Sequence, residues 1–385
     1  MLTQQQWMIF NRTPVGSFRG TLSSITAPRL GSVAIQSALS RSALPTVDEV
    51  IMGNVLSASV GQAPARQAAL LAGLPESTIC TTVNKVCASG LKAVMLGAQS
   101  IALGMAGSVA AGGMESMSNA PYYLPSLRKG AGYGNQTVLD SILYDGLTCG
   151  KYKSHMGECA EETAQKYNIS REEQDAYAME SYKRASSAVS SGRFKTEIAS
   201  VTIDLGRKGT VTVSEDEEYN KVDFSKVPSL KPVFSPSGTI TAANASTLND
   251  GASAVILAHA STPAKPLARI LAMADAECDP KFFTIAPSLA VPKCLEMAGL
   301  KTGDVDLWEI NEAFSVVALA NIKLLGLDPA KVNAFGGGVS LGHPIGSSGC
   351  RLLVTLLHQL QKGQKGCVAI CNGGGGASAM IIEKL

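Results

Sequence analysis

Residues 86–118, VCASGLKAVMLGAQSIALGMAGSVAAGGMESMS, and residues 345–380, IGSSGCRLLVTLLHQLQKGQKGCVAICNGGGGASAM, follow one plan. Each has a small-residue turn containing Ser-Gly, at Ser89-Gly90 and at Ser348-Gly349. Each continues as an apolar-rich helix and then as a short strand, 108–111 or 367–371, that runs into glycines. The shared order and spacing predict a duplicated α/β unit. Leu91, Val94, Met95, Ala98, Ile101 and Ala102 recur at helical spacing, as do Leu352, Leu353, Leu356, Leu357 and Leu360. Faces this broad and apolar predict helices buried in the middle of a sandwich, with a sheet on either side.

Between the two units the sequence changes character. Residues 118–245 are richer in charge and in Tyr, Lys and Glu, and read as an inserted loop domain. Within it an amphipathic helix is predicted around 171–189, with Ser170 as its N-cap. Lys208, Lys221, Lys226 and Lys231 are either plainly solvated or a docking surface for an anionic ligand.

Composition bounds the function. The chain has 385 residues, 45% hydrophobic and only 17% charged, enough for two or three well-packed domains. A net charge of +2 argues against nucleic acid as a partner. No run of apolar residues is long enough to span a membrane. The opening MLTQQQWMIF carries neither a signal-peptide nor a transit-peptide pattern. Nine cysteines, odd in number and irregular in spacing, fit free thiols in a reducing compartment.

Four clusters carry chemistry. Cys87 follows a strand-like run and precedes a helix, where orphan N–H groups and the dipole stabilise a thiolate. Taken alone it is either a nucleophile or a small buried hydrophobe. His343, one of four histidines, sits in GGGVSLGHPIGSSG among residues small enough to admit a substrate, as a base for the thiol. Cys371 closes the strand-like CVAIC and meets four glycines. That backbone is either an oxyanion hole, with Gly373 as a donor, or a tight turn between strands. Asn311, in WEINEAFSVVALA, is either a helix N-cap or an amide that holds a water near the thiol and imidazole. Zinc on Cys367, Cys371 and His343 fails, because residues four apart on a strand stand roughly 13 Å apart. No glycine run forms a nucleotide motif.

Taken together, NKVCASG (84–90), NEAF (311–314), GHPIG (342–346) and CNGGGG (371–376) resemble the thiolases. GGMESMSN (112–119) and TAANASTLNDGA (241–252) match as well, and the resemblance covers essentially the whole chain. Only the opening QWMIFNRTPVGSF departs from the family's usual first strand. The resemblance implies a five-layered αβαβα sandwich of two related halves. One half is 1–117 completed by 246–264, the inserted CoA-binding loop domain is 118–245, and the second half is 265–385. SHMG, at 154–157, is similar to the short-chain, mitochondrial-type acetoacetyl-CoA thiolases.

That type implies a reversible Claisen condensation of two acetyl-CoA to acetoacetyl-CoA and CoA through an acetyl-cysteine. Cys87 is then the nucleophile, His343 and Cys371 the acid–base groups, and Asn311 and Gly373 oxyanion donors. CoA contacts fall on Leu147, His155, Met156, Tyr182, Lys221, Val222, Asp223, Lys226 and Ser246. A potassium ion falls on Tyr182, Ala242, Ala243, Ala245 and Val339. A homotetramer, as a dimer of dimers, is implied, as is the mitochondrial matrix with the cytoplasm as alternative. Phe283-Thr284 stands where relatives that take 2-methylacetoacetyl-CoA carry Phe-Pro. Rival readings are a decarboxylating synthase, which needs a second His where Asn311 and Cys371 stand, and a catalytically silent acyl-CoA or lipid binder.

Overall fold

The computed structural model describes residues 5–42, 44–259, 262 and 266–385; the expected boundary between 264 and 265 lies outside the described residues. The chain opens with β1 (Gln5–Arg12), β2 (Gly16–Ser17), α1 (Ala27–Ser42), β3 (Glu49–Gly53), α2 (Pro64–Leu71), β4 (Ile79–Val83), α3 (Ser89–Ala102) and β5 (Ser108–Ser116). The middle of the chain holds β6 (Tyr122–Tyr123), β7 (Leu139–Asp140), α4 (Met156–Tyr167), α5 (Arg171–Ser190), β8 (Val201–Asp204) and β9 (Thr210–Val213). It then returns with β10 (Asn249–His259), β11 (Ala268–Glu277), α6 (Pro287–Ala298), β12 (Leu307–Ile310), α7 (Ser315–Leu325), α8 (Gly338–Leu341), α9 (Ile345–Gln359), β13 (Lys365–Asn372) and β14 (Gly376–Lys384). Among the described residues no helix is long and apolar enough to cross a membrane.

The strands run in the order β12-β13-β14-β11-β1-β10-β5-β3-β4. The first half contributes β4, β3 and β5 in parallel, followed by antiparallel β10 and β1. The second repeats the pattern with β12 parallel to β13, then antiparallel β14 and β11. Its counterpart of β4 shrinks to one parallel bridge, Trp308 to Val332. Two β1–β11 pairs, Gln6 with Arg269 and Trp7 with Ala268, join the halves at one edge.

Alternation along the strands makes the layers. In β5, Ala110 and Met114 pack with α1 and α2, while Val109 and Ala111 face α3 and α9. In β13, Cys367 and Ala369 pack with α6, while Val368 and Ile370 face the middle. The result is αβαβα, as the resemblance implied. Helix α9 is buried at every residue from Ile345 to Leu357. Each of its buried leucines contributes about 1.5–3 kcal/mol over an exposed one. The expected apolar face of α3 is also buried, except Ala102 at its exposed C-terminal end.

Two expectations shift. Ser348-Gly349 lies inside α9, whereas Ser89-Gly90 opens α3. The structural counterparts are therefore Ser89-Gly90 and Ile345-Gly346, with Pro344 at the α9 N-cap. This aligns Cys87 with His343, each two residues before its helix. Asn311 is not an N-cap, since α7 starts at Ser315 with Phe314 at the cap. Its side chain is left free for another partner.

Inside the loop region, Ser170 caps α5 in a capping box with Glu173, as its sequence predicted. Buried Arg12 of β1 ties this region to the sheet through Glu197 at 2.6 Å and Asp216 at 2.6 Å.

The middle helices meet on glycine. A Cβ on Gly90 would lie 3.0 Å from the Gly346 carbonyl oxygen and from the Cys350 nitrogen. One on Gly113 would lie 1.9 Å from the Gly346 oxygen. Gly90→Ala is therefore expected to cost about 1–3 kcal/mol by overpacking, read as a fall in Tm. An unchanged Tm would show that the helices can separate freely.

Candidate active site

The paired N-termini of α3 and α9 open on one cavity of about 280 Å³. Cys87, His343 and Gly373 line it together with Leu147, His155 and Met156. Its walls are otherwise mostly apolar, with Phe234, Phe283, Phe314 and Ile345 among them beside Ser246 and Thr247. A larger space of about 520 Å³, beside Glu158, Glu161 and Glu162, holds neither thiol nor imidazole.

Each polar group of the cavity is held from behind. The His343 backbone N–H donates to Asn249 Oδ1 at 2.9 Å. Its Nδ1 lies 2.6 Å from Ser348 Oγ, which lies 2.9 Å from the Pro344 carbonyl oxygen. A carbonyl only accepts, so the single hydroxyl proton of Ser348 goes there, and Ser348 accepts from Nδ1–H. That fixes the tautomer and leaves the Nε2 lone pair free. Asn311 Nδ2 lies 3.5 Å from Nε2, the long end of a hydrogen bond. Asn311 Oδ1 is buried and has no partner among the described residues, an arrangement that suits a bound water.

The backbone amides of Gly373 and of Cys87 itself favour the charged form of the Cys87 sulfur. Gly373 begins the turn between β13 and β14, where Gly374 and Gly375 take φ of +92° and +94°. The glycine run is thus a tight turn between strands, with Gly373 on the cavity wall. Glu115 braces the floor, accepting from Asn54 Nδ2 at 2.8 Å, Val55 N at 3.1 Å and Gly346 N at 2.9 Å.

Burial dominates the electrostatics. It pushes the Cys87 thiol up to about 11, against the pull of the two amides. Burial, then the Arg351 charge, pulls His343 down to about 3. Burial thus works against the thiolate that the helix N-terminus favours, and against the charged imidazole. Burial and then the neighbouring Cys87 push Cys371 well above the usual thiol range. Cys371 is fully buried and lines no described cavity.

An outer cavity of about 450 Å³ shares Phe234, Ala245, Ser246, Thr247 and Leu248 with the inner one. Of the residues expected at CoA, Lys221 and Ser246 line this outer space. Tyr182, Val222, Asp223 and Lys226 line neither cavity. Asp223 and Lys226 pair with each other at 3.2 Å on the surface, and Tyr182 and Val222 pack with Val339. Lys208 and Lys231 are simply exposed. The sequence reading missed Ser348, Asn249 and Glu115. Their partners are buried groups that only the fold brings near, although Ser348, five residues after His343 in a helix-opening segment, was within reach of local reasoning.

The fold and this site define a duplicated five-layer α/β protein with a thiol and an imidazole at paired helix N-termini. The chain belongs to the thiolase family: residues 8–261 match the thiolase N-terminal domain and residues 264–384 the thiolase C-terminal domain. It is 57% identical over 381 residues to the mitochondrial acetyl-CoA acetyltransferase of Bos taurus, covering 97% of this chain and 90% of that one. It is 54% identical over 383 residues to a cytosolic acetyl-CoA acetyltransferase of Gibberella zeae, covering 97% and 96%. The crystal structure of the Acat5 thiolase from Ascaris suum in complex with coenzyme A matches with a TM-score of 0.95 and 47% identity, over 100% of both chains.

Ser348→Ala releases the tautomer, and acylation of Cys87 by a small thioester is expected to slow about tenfold, one lost hydrogen bond, with thioester affinity unchanged. Stopped-flow single turnovers check this. An unaltered rate would show that Nδ1 needs no partner.

Proposed function

We propose that this chain is an acetyl-CoA C-acetyltransferase working by acetyl-cysteine exchange. The observation that carries the proposal is the joint lining of one cavity by the Cys87 thiol, the His343 imidazole and the Gly373 turn.

His343 Nε2 takes the Cys87 proton as the sulfur attacks the thioester carbonyl of acetyl-CoA. The oxyanion of this step is stabilised by His343 and by a water on Asn311. Collapse expels CoA, which leaves as the thiol with the proton of Cys371; Cys371 is left as the thiolate, His343 keeps the proton of Cys87, and the acetyl group stays on Cys87. A second acetyl-CoA then loses a methyl proton to Cys371. Its carbanion attacks the acetyl carbonyl, with the amides of Cys87 and Gly373 donating to the oxyanion. Acetoacetyl-CoA departs, the methyl proton stays on Cys371, and the proton on His343 restores the Cys87 thiol. Thiolysis is the reverse. A thiol nucleophile suits both directions because its product is itself a reactive thioester.

The acyl end belongs in the inner cavity, against Leu147, His155 and Met156, and the pantetheine arm in the outer one beside Ser246 and Lys221. Tyr182, Val222, Asp223 and Lys226 are proposed at the outer end of that path. A potassium ion is proposed on the Tyr182 hydroxyl and the carbonyls of Ala242, Ala243, Ala245 and Val339. The residues suit such an ion: Tyr182 is only 3% exposed and packs against Val339, another of the proposed ligands. Burial and then the Glu218 and Glu312 charges hold that hydroxyl in its neutral form. Neutral oxygen donors in a negative field suit a hard monovalent cation. When bound, it would supply positive charge and stiffen the wall that Ala242 and Ala245 give the outer cavity.

A dimer of dimers is proposed from the exposed apolar side chains Ile79 on edge strand β4 and Tyr122, Leu127, Tyr133 and Val138 in the loop region. The matrix is the proposed compartment, on the mitochondrial relatives; the cytosolic fungal relative makes the cytoplasm the alternative. Phe283 walls the acyl cavity, and Thr284 is held behind it by Thr163 at 2.6 Å. Thiolysis of acetoacetyl-CoA against its 2-methyl analogue, with and without potassium, tests both the branched substrate and the ion.

With labelled acetyl-CoA and peptide mass spectrometry, Cys87→Ser is expected to abolish acetylation. Cys371→Ala is expected still to acetylate yet to form no carbon–carbon bond. Loss of acetylation in Cys371→Ala with retained methyl proton exchange would reverse the two roles. Asn311→Ala is expected to lower turnover about 10²–10³-fold. A silent binder would leave Cys87 unlabelled in the unaltered protein.

A further inference from the structure

Val86, the residue before Cys87, holds φ at +48°. It is the one β-branched side chain among the described non-glycine residues with positive φ. A branched Cβ in the left-handed region is a genuine outlier, and such strain persists only where the surroundings over-determine it.

They do so here. The Val86 N–H donates to Asn84 Oδ1 at 2.9 Å. Its carbonyl accepts from Ser89 Oγ at 2.6 Å and from Ser89 N at 3.0 Å. Ser89 Oγ also accepts from Lys85 N at 2.8 Å. The Lys85 ammonium is pinned to Asp275 Oδ1 at 2.8 Å. Asn84, Lys85, Val86 and Ser89 are thus tied to one another, and Lys85 to Asp275. An extended residue at 86 would carry strand β4 past the helix start and turn Cys87 away.

The side chain has a task as well. The Cγ1 and Cγ2 methyls of Val86 lie 3.5 and 4.0 Å from where a Cβ on Gly373 would stand, with Met156 Sδ at 3.5 Å on that same point. They thus flank the Gly373 turn, which lines the cavity together with Cys87. No polar atom of Val86 reaches the cavity, and Val86 itself is not among its lining residues.

We infer that Val86 is a positioning residue for the acetyl transfer proposed above. Its left-handed backbone aims Cys87 into the cavity, and its two methyls set the spacing between the Cys87 sulfur and the Gly373 amide. The inference rests on that proposed reaction. A leucine or alanine at 86 would supply apolar surface but not two γ-methyls on one Cβ. Threonine keeps the branched shape, and glycine keeps the backbone while removing both strain and brace.

The test compares Val86→Ala, Val86→Gly and Val86→Thr in the full-length protein. Acetyl-CoA affinity and the single-turnover rate of Cys87 acetylation are measured separately, beside Tm. Val86→Ala and Val86→Gly are expected to slow acetylation by about 10- to 100-fold, the scale of a misplacement below 1 Å, with affinity unchanged within about twofold. Val86→Thr is expected to stay near the unaltered rate. Val86→Gly is expected to melt no lower than Val86→Ala, because glycine alone relieves the φ strain. An unaltered rate in Val86→Gly, an equal loss in Val86→Thr, or a Tm of Val86→Gly below that of Val86→Ala would each overturn the inference. If the unaltered protein itself does not acetylate, the proposed function fails first, so the two failures are distinguishable.

Discussion

Two helix starts share one point in space because nothing but hydrogen stands between them. Gly90, Gly113, Gly346 and Gly349 form that contact, and a methyl at any of them would meet backbone atoms at 1.9–3.0 Å or a carboxylate at 2.7 Å. Close-packed interiors do not absorb such an intrusion. The duplication therefore does more than repeat a unit. It brings the residue two places before each central helix to one cavity, and one copy carries a thiol there while the other carries an imidazole. Neither half contains a complete site.

Burial sets the electrostatics of the site. A thiol at a helix start in water would be acidified. For buried Cys87 and His343 the loss of hydration works the other way, against both charged forms. In the proposed reaction the proton moves as the bond forms, with His343 and the water on Asn311 facing the substrate's developing charge. Glu115 follows the same logic: burial pushes it up to about 7 even though several backbone N–H groups point at it. It serves as an acceptor that staples the α9 start to the 54–56 loop.

Much of this was legible in the chain. The apolar spacing of 91–102 and 352–360 predicts helices buried between two sheets, and the short strands expected after them, 108–111 and 367–371, fall inside β5 and β13. Ser170 followed by Glu173 announces the start of α5. What failed did so for local reasons. Ser-Gly is too short a signal to fix register, so Ser348-Gly349 was matched one turn late, where Pro344 sets the true helix start. Asn311 looked like a cap because strand β12 ends beside it, yet three more residues pass before α7. The long-range partners, Asn249 to His343 and Glu115 to Gly346, have separations of 94 and 231 residues, which no periodicity records. The residues proposed at CoA divide similarly: Leu147, His155, Met156, Lys221 and Ser246 line the two cavities, while Asp223 and Lys226 find each other at the surface.

The account turns on a buried thiol that stays protonated at rest. The most direct measurement is the rate of iodoacetamide alkylation of Cys87 in the resting protein against pH, followed by peptide mass spectrometry to separate it from the other eight cysteines. The account predicts a rate that climbs about tenfold per pH unit through pH 8 and 9 without levelling. A plateau already reached near neutral pH would mean a standing thiolate–imidazolium pair, and would contradict it.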